Sequence, residues 1–97
     1  MANYVLEIVE GPEAGRMIPL DGPIEIGRDE SSSVALQQAE LLSRRHVRIT
    51  PVDGGAQVED LGSRNGTFVN GEQVQSPHRL RKGDRVQFGE TVGEIVR

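Results

Sequence analysis

The sequence predicts an all-β fold, a sandwich or a barrel assembled from many short strands. Glycine, proline and Asn-Gly turn signals interrupt the chain at short intervals along its whole length. Between these signals, apolar and polar residues alternate over short runs, which is the period of a strand with one buried face. Short strands separated by regular turn signals are typical of sandwiches and barrels.

Three strands are predicted in the first part of the chain. Apolar residues alternate over 4–9, and the glycine- and proline-containing segment 11–15 predicts the turn that follows. The next strand covers 16–20, where Pro19 favours the edge of a sheet because proline cannot donate a ladder hydrogen bond. Alternating isoleucines over 24–26 predict the third strand.

Residues 33–45 are the one segment that competes for a helix. Alanine, leucine, glutamine and glutamate are frequent there, and several apolar residues have helical spacing. The alternative is a short strand at Val34 and Leu36 followed by a loop over 37–42. The serine run 31–33 and the short strands on both sides favour the strand and loop.

Two hairpins and two closing strands are predicted in the rest of the chain. Gly54-Gly55 connects the strands of the first hairpin, and Asn70-Gly71 is a strong turn signal for the second. The strands expected in this part of the chain cover 46–50, 56–60, 67–69, 72–74, 86–88 and 91–96.

Length and composition predict one domain, residues 1–97. The chain has 97 residues, of which 35% are hydrophobic, so one small core is expected. No apolar run approaches the length of a membrane span, and the first residues lack the features of a signal peptide. The absence of cysteine excludes disulfides and thiolate chemistry. We therefore expect a cytoplasmic monomer without a membrane partner.

The charge balance argues against nucleic acid as a partner. Eleven basic and 15 acidic residues give a formal charge of −4, and one Tyr and two Phe are too few for a base-stacking platform. All but one of the basic residues are arginine, the side chain suited to bidentate recognition of carboxylate or phosphate.

No enzyme motif stands out in the sequence. His46 and His78 are too few and too far apart for a metal site, and no phosphate-binding P-loop or dinucleotide fingerprint is present. Ser43 and His46 could belong to a hydrolase triad, but the chain lacks the G-x-S-x-G nucleophile elbow. A binding module without metal or cofactor is the simplest interpretation.

Three loop segments together carry the donors that a phosphate needs. They are 27–28, 43–46 and 62–67, and each adjoins a predicted strand. Guanidinium groups, a hydroxyl, an amide and glycine-permitted backbone N–H groups occur in these segments, and no carboxylate does. This inventory suits a phosphate attached to a peptide, because its oxygens accept several charge-assisted hydrogen bonds.

Four short motifs follow one another along the chain: Gly27-Arg28, Ser43-x-x-His46, Asn65-Gly66-Thr67 and Val69-Asn70-Gly71. In this order and spacing they resemble the forkhead-associated (FHA) domain, a phosphothreonine-binding module. The resemblance extends from about Tyr4 to Val96 and implies a two-sheet β-sandwich whose binding loops lie at one end.

The resemblance implies a role for each loop residue. Arg28 matches the arginine that grips the phosphate, and Ser43 matches the hydroxyl that hydrogen-bonds it. Arg44 and Arg64 occupy variable positions within reach of the phosphate or the peptide. Asn65 matches the asparagine that hydrogen-bonds the peptide backbone. The residues implied to support the site structurally are Gly27, His46, Gly66, Thr67, Asn70 and Gly71.

The function implied by the resemblance is recognition of phosphothreonine in a partner protein, within a Ser/Thr-kinase pathway and without catalysis. Two alternatives remain. The first is an interaction module on the same fold that does not depend on phosphorylation. The second is a small hydrolase that uses Ser43 and His46.

Overall fold

The computed structural model describes residues 4–96, and across them the chain is entirely β-structure, turns and loops. The all-β prediction is therefore confirmed. The strands of this part of the chain are β1 (Val5–Glu10), β2 (Met17–Pro19), β3 (Ile24–Gly27), β4 (Val34–Ala35), β5 (Val47–Val52), β6 (Gly55–Asp60), β7 (Thr67–Val69), β8 (Glu72–Gln73), β9 (His78–Leu80), β10 (Arg85–Phe88) and β11 (Thr91–Val96).

The strands form two sheets that pack face to face. A six-stranded sheet has the order β2-β1-β11-β10-β7-β8, and a five-stranded sheet has the order β4-β3-β5-β6-β9. Neighbouring strands are antiparallel except for the short parallel pair β3 and β4. Each sheet ends in two different edge strands, so the fold is a sandwich and not a closed barrel.

The core lies between the two inner faces. Leu6 and Ile8 point inward from β1 and Phe88 from β10, while Val47 and Ile49 point inward from β5 of the opposing sheet. All five are fully buried. The alternation that predicted strands from the sequence thus separates the core face from the solvent face.

The turn residues adopt the conformations that their positions require. Asn70 and Gly71 both have positive φ, 49° and 89°, as a two-residue hairpin between β7 and β8 demands. Pro19 lies on β2, an edge strand of the six-stranded sheet, as predicted. The strand β9 was not predicted, because Leu80 is its only apolar residue.

The segment 33–45 forms the short strand β4 followed by turns, so the strand-and-loop alternative is confirmed. The apolar residues that imitate helical spacing have another role: Leu36, Ala39 and Leu42 are all buried. Successive turns join them, with the N–H of Ala39 donating to the carbonyl of Leu36 and the N–H of Leu42 donating to that of Ala39 (both 3.1 Å). Core contacts therefore anchor this loop.

Candidate functional site

Four connections lie at one end of the sandwich. They are the β3–β4 loop (28–33), the β4–β5 loop (36–46), the β6–β7 loop (61–66) and the β10–β11 turn (89–90). Hydrogen bonds link each of them to at least one other. The packing of the two sheets thus brings together the loops that carry the predicted binding residues.

The β3–β4 and β4–β5 loops are joined through their backbones. The N–H of Arg28 donates to the carbonyl of Ser43 at 3.0 Å, and the N–H of Asp29 donates to the carbonyl of Arg44 at 3.2 Å. A Cβ atom on Gly27 would lie 1.9 Å from the Arg44 carbonyl oxygen. Only glycine allows this approach, so position 27 determines how closely the two loops pack.

His46 connects the β4–β5 loop to the β6–β7 loop from beneath. Its side chain is fully buried, its Nδ1 accepts the N–H of Ser43 at 3.1 Å, and its Nε2 lies 2.8 Å from the carbonyl oxygen of Gly66. These partners require a neutral ring with the hydrogen on Nε2. Burial lowers the pKa of His46 below its ordinary value, and the Gly66 carbonyl and the Asp60 carboxylate oppose this effect only in part.

Asp60 organises the β6–β7 loop. One carboxylate oxygen accepts the N–H groups of Gly62 and Ser63, each at 3.0 Å, and the other accepts the hydroxyls of Ser63 at 2.5 Å and Thr67 at 2.6 Å. Burial acts to raise the pKa of Asp60, but these hydrogen bonds outweigh it and the pKa is lowered. The Ser63 hydroxyl in turn accepts the N–H of Gly66 at 2.9 Å.

The loop tips are joined by two further hydrogen bonds. The Ser43 hydroxyl oxygen accepts the N–H of Arg64 at 2.9 Å, and the Asn65 amide donates to the carbonyl of Leu41 at 2.7 Å. Gly66, which follows, has a φ of 84°, a conformation that favours glycine. The tips therefore form one connected surface.

A cavity of about 330 Å³ opens between these tips. All five residues predicted to contact a phosphopeptide line it, together with a segment of the β4–β5 loop that was not singled out from the sequence. The lining residues are Arg28, Glu40, Leu41, Leu42, Ser43, Arg44, Arg64 and Asn65.

The three cavity arginines differ from other arginines in their surroundings. Arg28, Arg44 and Arg64 are exposed, and none of them forms an ion pair with any residue in 4–96. Arg45, the neighbour of Arg44, instead makes two hydrogen bonds of 2.9 Å to Glu25. The cavity arginines thus leave their guanidinium groups available for an anion.

Two of the predicted supporting residues lie away from the cavity. Asn70 binds the segment before β10, donating from its amide to Asp84 at 3.2 Å and accepting the N–H of Arg85 at 3.1 Å. Gly71 completes the same β7–β8 hairpin. Two further residues support the loops without having been predicted, Asp60 and Glu90. The Asp-x-Gly-Ser pattern at 60–63 is a local turn signal for the first, while the second has no local signal.

The side chains of Ser43 and His46 are both hydrogen-bonded to backbone groups of the loops. The imidazole Nδ1 accepts the backbone N–H of Ser43, and the hydroxyl of Ser43 contacts Arg64. Within 4–96, no three acidic or histidine side chains cluster as metal ligands, and no helix is long and apolar enough to cross a membrane.

A rim of arginine, hydroxyl and amide donors on loops at one end of a two-sheet sandwich defines a ligand-binding module. The sequence pattern of the FHA domain matches residues 24–89. The chain belongs to the FHA domain family. It is 41% identical over 88 residues to the glycogen accumulation regulator GarA of Mycolicibacterium smegmatis, covering 90% of this chain and 54% of GarA. The chain thus spans about half the length of this curated relative.

Solved structures agree with this assignment. The FHA domain of CT664 from Chlamydia trachomatis has a TM-score of 0.89 and 26% identity, and the match covers 97% of this chain and 96% of that one. An FHA domain from a structural and functional study of phosphothreonine-dependent FHA interactions has a TM-score of 0.83 and 29% identity, covering 97% and 95%. The two-sheet sandwich predicted through the family resemblance is confirmed.

Proposed function

We propose that residues 1–97 form a single FHA domain that binds phosphothreonine in a partner protein of a Ser/Thr-kinase pathway. The observation that carries this proposal is the cavity where Arg28, Arg44 and Arg64 meet Ser43 and Asn65. A phosphate carries a charge of about −1.5 to −2 near neutral pH and offers three strong acceptor oxygens. Three guanidinium groups on one rim more than neutralise that charge and can donate to those oxygens.

Ser43 supplies a hydroxyl donor for the phosphate. Its oxygen already accepts the N–H of Arg64, so its own hydrogen can point away from that contact toward the cavity. Both ring nitrogens of His46 already face backbone groups of the loops. We therefore assign recognition without catalysis, with His46 supporting the loops.

Asn65 supplies the contact to the peptide backbone. One amide hydrogen is used on the carbonyl of Leu41, which holds the side chain against the cavity wall. The carboxamide oxygen and the second hydrogen remain for a peptide N–H and carbonyl. This pairing would determine the direction and register of the peptide, as the family resemblance implies.

The charge of the whole chain supports selectivity. The formal charge is −4, so the positive rim belongs to an otherwise acidic protein. Nonspecific polyanions, including nucleic acid, are repelled by the rest of the surface, while one phosphate reaches the rim. A chain without cysteine is consistent with the cytoplasmic location that we propose, where ATP-dependent kinases supply the phosphate.

Calorimetry with matched peptides tests the proposal. A phosphothreonine peptide should bind at least 30-fold more tightly than its unmodified threonine form. The reason is that removing one partner of a desolvated charge contact costs about 2–5 kcal/mol of binding free energy. A degenerate phosphothreonine library serves as the source of the peptide. Equal affinity for the two forms would favour the alternative, an interaction module that does not depend on phosphorylation.

A further inference from the structure

Leu41 stands out as an exposed apolar side chain beside a polar cavity. Within 4–96, Leu41 and Met17 are the two large hydrophobic residues that are exposed, each at 54%. Met17 lies on the edge strand β2, whereas Leu41 lies on the cavity wall next to the arginines. A side chain of this kind at a binding rim gains free energy when an apolar group of the ligand covers it.

The backbone of Leu41 is held from both sides by other loops. Its N–H donates to the two carboxylate oxygens of Glu90, at 3.0 and 3.3 Å, and its carbonyl accepts the Asn65 amide. Glu90 belongs to the β10–β11 turn, 49 residues further along the chain. An exposed loop residue fixed in this way loses little conformational freedom on binding, so its contacts contribute more to affinity.

The turn that carries Glu90 also packs closely on the Leu41 backbone. Gly89 has a φ of 65°, and a Cβ atom there would lie 2.9 Å from both the carbonyl carbon and the carbonyl oxygen of Leu41. The β10–β11 turn therefore supports the wall sterically and through a charge-assisted hydrogen bond.

The same wall disfavours an acidic group. Glu40 is exposed and lines the cavity directly before Leu41. A peptide carboxylate placed beside this wall would face the carboxylate of Glu40, whereas an apolar side chain would cover Leu41. The wall thus selects between two chemical classes of peptide side chain.

We propose that Glu90 is a positioning residue of the peptide site: it holds Leu41 on the rim of the cavity, where Leu41 contacts an apolar side chain flanking the phosphothreonine. The inference rests on the proposed function, because it identifies a feature of the phosphopeptide that binds there. It adds a fourth connection, the β10–β11 turn, to the three loops that carry the predicted binding residues.

A leucine scan of a phosphopeptide tests this inference. One leucine is moved through the three positions on either side of the phosphothreonine of a peptide whose other flanking residues are alanine, and a matched series uses aspartate. At one position, the leucine peptide should bind wild type about fivefold more tightly than the alanine peptide, as partial burial of a leucine predicts. The aspartate peptide should bind no better than the alanine peptide.

The variants are compared by the ratio of the leucine-peptide to the alanine-peptide affinity. Leu41→Ala and Glu90→Ala should each bring this ratio to within about twofold of one. Glu90→Gln should retain the preference, because its amide oxygen still accepts the Leu41 N–H. Met17→Ala, which removes an equally exposed side chain elsewhere, should also retain it.

The role of Leu41 would be overturned if Leu41→Ala kept the full preference for the leucine peptide. It would also be overturned if wild type showed no such preference at any position. A Glu90→Ala variant with a lower melting temperature but an unchanged ratio would show that Glu90 has only a structural role. These outcomes differ from failure of the proposed function, in which wild type would not distinguish phosphorylated from unmodified peptides.

Discussion

At the residue scale, the loops depend on two polar side chains, one fully buried and one half-buried, that hydrogen-bond to the backbone of their neighbours. His46 and Asp60 together provide partners for backbone groups of Ser43, Gly62, Ser63 and Gly66. Buried backbone N–H and C=O groups need hydrogen-bond partners, and a buried group without one destabilises the fold. These two side chains therefore maintain the shape of the cavity without lining it.

The state of His46 makes stability depend on pH. Its pKa in the folded chain is lowered by burial, so at mildly acidic pH the unfolded chain binds a proton there that the folded chain does not. The stabilising contribution is present above about pH 6.5 and is lost as the pH falls from that value toward the folded pKa. Hydrogen bonds lower the pKa values of three carboxylates, those of Glu25, Asp29 and Asp60. These groups therefore titrate below the pH range in which His46 changes the stability.

We expect His46→Ala to lower the free energy of unfolding at pH 7.5 by about 1–3 kcal/mol, because Ser43 and Gly66 lose their partner. The variant should also lose most of the change in stability between pH 7.5 and 5.5. Urea unfolding at the two pH values measures both effects. His78→Ala is the matched control, since His78 is exposed. If His46→Ala unfolds like wild type at both pH values, the structural role of His46 is wrong.

At the element scale, the close approach of two loops depends on a residue at the end of β3. Gly27→Ala would place a methyl group against the carbonyl of Arg44, so the β4–β5 loop must move away. We expect a loss of stability of about 1–3 kcal/mol, the usual effect of overpacking, together with weaker phosphopeptide binding. Gly22→Ala is the control, because nothing lies within 4 Å of a Cβ there.

Thermal unfolding and calorimetry measure the two effects of the Gly27 substitution. A Gly27→Ala variant that melts and binds like Gly22→Ala would contradict this account of the loop contact.

The strands were more predictable from the sequence than the site was. Strands such as β1 and β5 are half-buried, so alternation reports them directly, and the Asn70-Gly71 turn is a local signal. The short edge strand β9 has one apolar residue and depends on its partner β6. In the segment before Ser43, composition alone supported a helix, and only the neighbouring strand and turn signals favoured the loop that the structure shows.

The site residues that belong to short sequence motifs could be predicted. Contacts between residues far apart in the sequence could not. Arg28 and Asn65 were found through the motifs that they share with a known family. The contact between Leu41 and Glu90 joins residues 49 positions apart, and no local pattern indicates it. It exists because the turn between β10 and β11 lies beside the β4–β5 loop, which is a property of the tertiary fold.

At the scale of the whole molecule, the sandwich separates two classes of arginine. Arg45 lies outside the cavity in an ion pair with Glu25, whose carboxylate also holds Arg48. The cavity arginines have no such partner within 4–96. The distribution of carboxylates thus concentrates free positive charge at one end of an acidic protein, and this is what a phosphate reader requires.

The most direct measurement compares the phosphopeptide affinity of Arg28→Ala with that of Arg45→Ala. Each substitution removes one exposed arginine, but only Arg28 lines the cavity. We predict a loss of about 30-fold or more for Arg28→Ala, partial recovery with Arg28→Lys, and a change within about twofold for Arg45→Ala. All three should melt like wild type to within a few degrees. Wild-type affinity in a folded Arg28→Ala variant would contradict the assignment of this cavity as the phosphate site.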